Sequence, residues 1–113
     1  MITIYHNNRC GKSRECVAFF ETSNQKYEVV KYLENNLSFD DLKLLIKKLN
    51  IKPLELIRTK EKIWITLYKD KNVSDNELIE IMVKHPILIE RPIVVVGEKA
   101  VIARPLEKIN NIL

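Results

Sequence analysis

Ile4-Tyr5-His6-Asn7-Asn8-Arg9-Cys10-Gly11-Lys12-Ser13-Arg14 is the stretch that decides the fold. Ile2 to Tyr5 is a short apolar strand, residues 6–9 are a polar loop, and Cys10 to Glu21 carries a helical pattern with Val17 and Phe20 toward a core. Asn24 starts a turn, and Tyr27 to Tyr32, β-branched and aromatic, predicts a second strand. Strand, helix and strand in that order predict a parallel βαβ unit.

Downstream, Ser38 stands three residues before Asp41 in the pattern of a capping box, with a short acid in place of the usual Glu. Leu42, Leu45, Ile46 and Leu49 then recur with helical period, and Pro53 ends the run. Leu54 to Arg58 predicts a short helical turn. Lys60 to Tyr68 reads two ways: Ile63, Ile65 and Leu67 alternate as in a strand, whereas Trp64, Leu67 and Tyr68 share a helical face. Ser74 and Glu77 form a second capping box ahead of Leu78, Ile81 and Met82, and Pro86 closes that helix. Ile93 to Val96 predicts a buried strand, Gly97-Glu98 a turn, and Ala100 to Ala103 its hairpin return. Pro105 suits the first turn of a final helix with Leu106, Ile109 and Leu113 on its apolar side.

The sum is βαβ, then helices, then ββα, in one α/β domain over residues 1–113 with a helical insertion at about 36–86. A length of 113 residues suits one core, and 46% hydrophobic residues with only two glycines argue against disorder. No stretch reaches membrane-spanning length, and no basic-apolar leader precedes the first strand. The expectation is a soluble, cytoplasmic monomer in a reducing compartment, since two cysteines make no disulfide scaffold. The net charge of +4 permits anionic partners, but no basic block interleaved with aromatics points to nucleic acid.

Cys10 is the chemical centre of the reading. A thiol at a helix start faces free N–H groups, and Arg9, Lys12, Arg14 and His6 are close in sequence. Each favours thiolate over thiol, and a thiolate there is a nucleophile beside donors for an oxyanion. The alternative is a small buried hydrophobe. Cys16 lies about 9 Å further along the helix and roughly 120° around it, poor geometry for a disulfide with Cys10. Ser13 occupies the position where a Cys-x-x-Cys pair would carry its second thiol, so that mechanism cannot operate. Gly11-Lys12-Ser13 lacks the earlier glycine of a phosphate loop, because His6 stands there. Cys10-x5-Cys16 lacks the terminal arginine of the low-molecular-weight tyrosine phosphatases. Cys10, Cys16, His6 and His85 make no zinc pattern, and no metal is expected.

The segment His6 to Arg14 resembles the active-site segment of the thioredoxin-like arsenate reductase family, which is glutaredoxin- and glutathione-linked and also includes Spx-type relatives. Leu56-Ile57-Arg58-Thr59-Lys60-Glu61 resembles that family too. So do His85-Pro86-Ile87-Leu88-Ile89-Glu90-Arg91-Pro92-Ile93-Val94-Val95 and Ala103-Arg104-Pro105-Leu106. These markers run in order across nearly the whole chain. Asn8 and Gly11 depart from the pattern, which usually has proline and then serine or threonine there.

The resemblance implies a thioredoxin-like fold in which Cys10 attacks arsenate and becomes an arseno-thiol adduct. It implies that Arg58, Arg91 and Arg104 bind the oxyanion, that His6 supports the acidic cysteine, and that Pro92 is a cis-proline facing the site, with Ser13 shaping it. No cofactor is bound; glutathione is the implied co-substrate, and glutaredoxin or thioredoxin the implied reductant. Arginine's planar fork suits an arsenate's oxygens and opposes its repulsion from a thiolate. Two other readings stand beside it: a glutathione-linked thiol reductase for another substrate, and a Spx-like redox-responsive regulator that binds RNA polymerase.

Overall fold

The computed structural model describes residues 1–113. The chain forms two compact units, one of Met1–Asn35 with Arg91–Leu113 and one of Asn36–Glu90.

In the first unit, β1 (Ile2–Tyr5), α1 (Gly11–Glu21) and β2 (Tyr27–Val30) build the expected βαβ, and β3 (Ile93–Val96) and β4 (Lys99–Ile102) follow as a hairpin. The sheet order is β2-β1-β3-β4. β1 runs parallel to β2 and antiparallel to β3, with Ile4 opposite both Val29 and Val94. Gly97 turns the hairpin at φ +61°, where a side chain would be strained. Ile2 and Ile4 alternate inward and pack with Cys16 and Phe20 of α1, Val94, Ala103 and Ile109. Val17 lies at the margin of that core, and Cys16 takes the central place expected for it. This is the thioredoxin-like α/β arrangement the sequence predicts.

The second unit holds α2 (Phe39–Leu49), α3 (Lys62–Leu67) and α4 (Asp75–Lys84). Both capping boxes form: Ser38 accepts from the Asp41 amide and Ser74 from the Glu77 amide, each carboxylate answering the cap's own N–H. α4 packs against α2 and two 3₁₀ turns, Pro53–Leu56 and Pro86–Leu88. The ambiguous stretch after Lys60 resolves as helix, because Trp64 is the side chain it buries while Ile65 and Leu67 stay exposed. The final helix is 3₁₀, Leu106–Asn111, and Pro105 precedes it as its N-cap. Ile109 fixes that turn to the core, and Leu113 is exposed rather than part of an apolar stripe.

Candidate active site

Cys10 is the N-cap of α1, which starts at Gly11, one residue after the predicted start, and its backbone is extended at φ −99° and ψ 123°. It is a free thiol and 8% exposed. Burial alone pushes its pKa up; a hydrogen bond and the charge of Arg91, with the amides of Ser13 and Lys12, bring it down from 9.0 to about 7. Those amides make no strict capping hydrogen bond to the side chain, so they act as aligned dipoles. Arg104 Nη1 also donates to Cys10 Sγ at 3.6 Å and to the Arg91 carbonyl at 3.2 Å.

Backbone pairing explains why two arginines 13 residues apart meet at one sulfur. Ile93 faces Ile102 in the hairpin, and the Ala103 amide donates to the Pro92 carbonyl at 2.9 Å. That bond sets Arg91 and Arg104 at the same end of the hairpin. Both arginines precede cis prolines, Pro92 and Pro105.

The basic neighbours in sequence play a smaller part than expected. Arg9, Lys12 and Arg14 are exposed, and Arg14 Nη1 donates to the Asn8 carbonyl at 3.2 Å. Lys12 reaches the thiol through its amide alone. His6 also requires a correction. It is buried, and its Nδ1 shares a 2.7 Å hydrogen bond with Ser13 Oγ instead of reaching the sulfur. Burial, then the charge of Lys31, pull its pKa below 6.5, with a smaller push from Arg14 against a hydrogen bond to Ser13. At neutral pH the ring is therefore mostly uncharged, and its bonded partner is Ser13. Ser13 itself is fully buried. Its Oγ accepts the Asn7 amide at 3.0 Å.

Arg58 lies in the second unit, in a different setting. Its Nε donates to Glu61 Oε1 and its Nη1 to Glu90 Oε1, each at 3.1 Å, while Nη2 takes part in neither bond. An isolated antiparallel bridge, Ile57 to Ile89, brings Arg58 beside Glu90: the Arg58 amide donates to Leu88 and the Glu90 amide to Leu56. Burial lowers its pKa, and the two carboxylates outweigh that and raise it.

Residues 5–112 match the model of the ArsC family. The chain belongs to the ArsC family. An arsenate reductase of Haemophilus influenzae is 39% identical to this ArsC-family chain, over 99% of it and 98% of the relative. The uncharacterised YfgD of Escherichia coli is 41% identical, over 99% and 96%. The solved arsenate reductase of Vibrio cholerae superposes with a TM-score of 0.94 at 40% identity, covering 99% of this chain and 97% of that one.

A Cβ built on Gly11 meets only Arg14 Nη2, at 3.8 Å, so a side chain at this position would find room. Asn8 is exposed on the loop. Two local arrangements, one in each unit, are not legible in the sequence. Asn7 has an unremarkable composition signal, an Asn just after a strand. Glu61 and Glu90 become visible only once the 57–89 bridge pairs them with Arg58.

Proposed function

We propose that this chain is a thiol-dependent arsenate reductase in which Cys10 is the nucleophile. A single observation carries the reading: a thiol that caps a helix, with the Arg104 guanidinium at 3.6 Å and the charge of Arg91 helping to bring its pKa down to about 7. About half of such a thiol is ionised at neutral pH without any base to remove its proton.

The chemistry follows from those charges. The Cys10 thiolate forms a bond to As(V), and an arsenate oxygen leaves as water after taking up protons. Thiolate and arsenate repel, and Arg91 and Arg104 offset that repulsion with donors already in place. A thiol co-substrate then supplies two electrons. Its sulfur ends in a disulfide with Cys10, the S–As bond breaks with its electron pair on arsenic, and As(III) departs as arsenite. A further thiol reduces the disulfide and restores Cys10.

Arg58 is proposed as an oxyanion ligand as well, with Nη2 as its available donor. His6 and Ser13 are positioning residues for Cys10, and Pro92 shapes the arginine end of the hairpin. Glutathione is the proposed co-substrate, with glutaredoxin or thioredoxin as the protein reductant. The setting is the cytoplasm, where a site with one reactive thiol stays reduced, and the protein works as a monomer. No helix is long and apolar enough to cross a membrane.

Arsenite production by purified protein tests the reading, first with glutathione and glutaredoxin, then with thioredoxin in their place. Turnover with one of them is the expected result. No arsenite with either, while Cys10 still alkylates readily at neutral pH, refutes arsenate as substrate and leaves the thiol site standing.

A further inference from the structure

Asn7 is 2% exposed, a buried polar side chain in the loop that carries the thiol. All three of its bonds are spent on that loop. Its N–H donates to Ser13 Oγ at 3.0 Å. Its carbonyl accepts the Cys10 amide at 3.0 Å. Its side-chain Oδ1 accepts the Arg9 amide at 2.9 Å. The last of these is an Asx turn, in which a side chain two residues back imitates a backbone turn.

These bonds have a geometric consequence. The Asn7 carbonyl and Oδ1 together close the turn over residues 7–10, and the bond to Ser13 ties the turn to the third position of α1. Cys10 is thereby held as the N-cap, with its own amide occupied and the amides of Lys12 and Ser13 facing its side of the helix start. Loosening the turn would let the sulfur swing away from both the helix dipole and the arginines.

We propose that Asn7 is the positioning residue that keeps the Cys10 sulfur against the helix N-terminus and the two arginines, and so sets its reactivity. The inference rests on Cys10 being the reactive thiol of the proposed function. The charged groups that face the sulfur are Arg91 and Arg104 from the hairpin end, while His6, uncharged, stands behind Ser13. None of them is altered by a change at Asn7, so a shift in thiol acidity reports position.

The test is the pH profile of Cys10 alkylation by iodoacetamide in the full-length protein, with no arsenate present. Asn7→Ala and Asn7→Gln both remove the two-residue-spaced acceptor, and Gln retains an amide. Each is expected to move the midpoint up by about one pH unit, slowing alkylation at pH 6.5 roughly tenfold. Asn7→Ser places a hydroxyl acceptor at the same spacing and is expected to restore most of the shift. A merely structural Asn7 would lower the melting temperature of these variants and leave the alkylation midpoint of the folded protein where it was, and that result overturns the proposal. If Ala and Gln do not fold, a Ser variant that folds but alkylates with a raised midpoint overturns it equally. Arsenate turnover is a separate reading: a protein that shows the expected shifts but makes no arsenite retains Asn7's role and loses the proposed substrate.

Discussion

The two ends of one short stretch of α1 give a thiol opposite characters. Cys10 caps the helix and is lowered to about 7, whereas Cys16, six residues on, is fully buried and raised to about 11. Burial disfavours the thiolate at both. At Cys10 a guanidinium and helix amides oppose it. At Cys16 nothing does, and the charge of Glu15 adds to the rise. Cys16 instead spends its sulfur on packing with Ile4, Phe20 and Val94. What separates the acidic thiol from the core thiol here is the presence of opposing charge, since burial works against the thiolate at both.

The comparison breaks most visibly in activity. Cys10→Ser should lower arsenite production by at least about 10³-fold, because removing a nucleophile leaves only binding. Cys16→Ala should stay within about threefold at 25 °C while losing about 1–2 kcal/mol of stability to a small cavity. A Cys16 variant that stops turnover with Cys10 intact would give Cys16 a redox role despite its poor geometry for a disulfide with Cys10.

Next in size is the charge that lowers Cys10. Arg91→Ala should cut kcat/KM for arsenate by about 10²-fold and move Cys10 alkylation to higher pH. Arg104→Ala should do the same, and Arg104→Lys should recover only part, since an ammonium lacks the planar fork. Steady-state kinetics paired with alkylation profiles separates loss of oxyanion binding from loss of thiolate.

The pH dependence sharpens the contrast by sign. Alkylation of Cys10 should rise about tenfold between pH 6 and pH 8 as the thiol ionises through 7, while Cys16 stays unmodified in the folded protein. The two thiols also pull stability in opposite directions. Cys10 is depressed on folding, so its contribution is complete above pH 9 and is lost as pH falls through 7. Cys16 is raised, so its contribution is complete below pH 9 and is lost as pH rises through 11. Urea titrations of Cys10→Ser and Cys16→Ala across pH 6–10 should diverge accordingly.

The smallest effects belong to the second unit. Glu90→Gln keeps an acceptor for Arg58 Nη1 and should cost no more than about 1 kcal/mol, as half-buried ion pairs do. Ser74→Ala removes the α4 cap and should cost about 1 kcal/mol. Thermal melts check both.

Much of this was legible in local pattern. The strands Ile2–Tyr5 and Ile93–Val96 and the two capped helices are regular apolar periods with clear stops, and periodicity is a local property. Lys60 to Tyr68 was not settled, because its apolar residues satisfy both periods and only the burial of Trp64 decides between them. The final segment reads as a longer helix than the 3₁₀ turn it forms, since Pro105 and an apolar residue every few positions do not distinguish 3₁₀ from α. Around the thiol, the motif located Cys10 but credited its neighbours Arg9, Lys12 and Arg14 with an effect that Arg91 supplies. Charge acts through space, and sequence proximity on an exposed helix start is a poor guide to it.

The amino-acid sequence by itself determined the order of elements, the family markers and the position of the one thiol at a helix start, because caps, periods and motifs are written residue by residue. Only the tertiary structure decided which charges lower Cys10, that His6 is neutral and bonded to Ser13, and that Arg58 is held by Glu61 and Glu90. Those outcomes depend on desolvation and on partners brought together by strand pairing, and neither quantity is carried by any single stretch of chain.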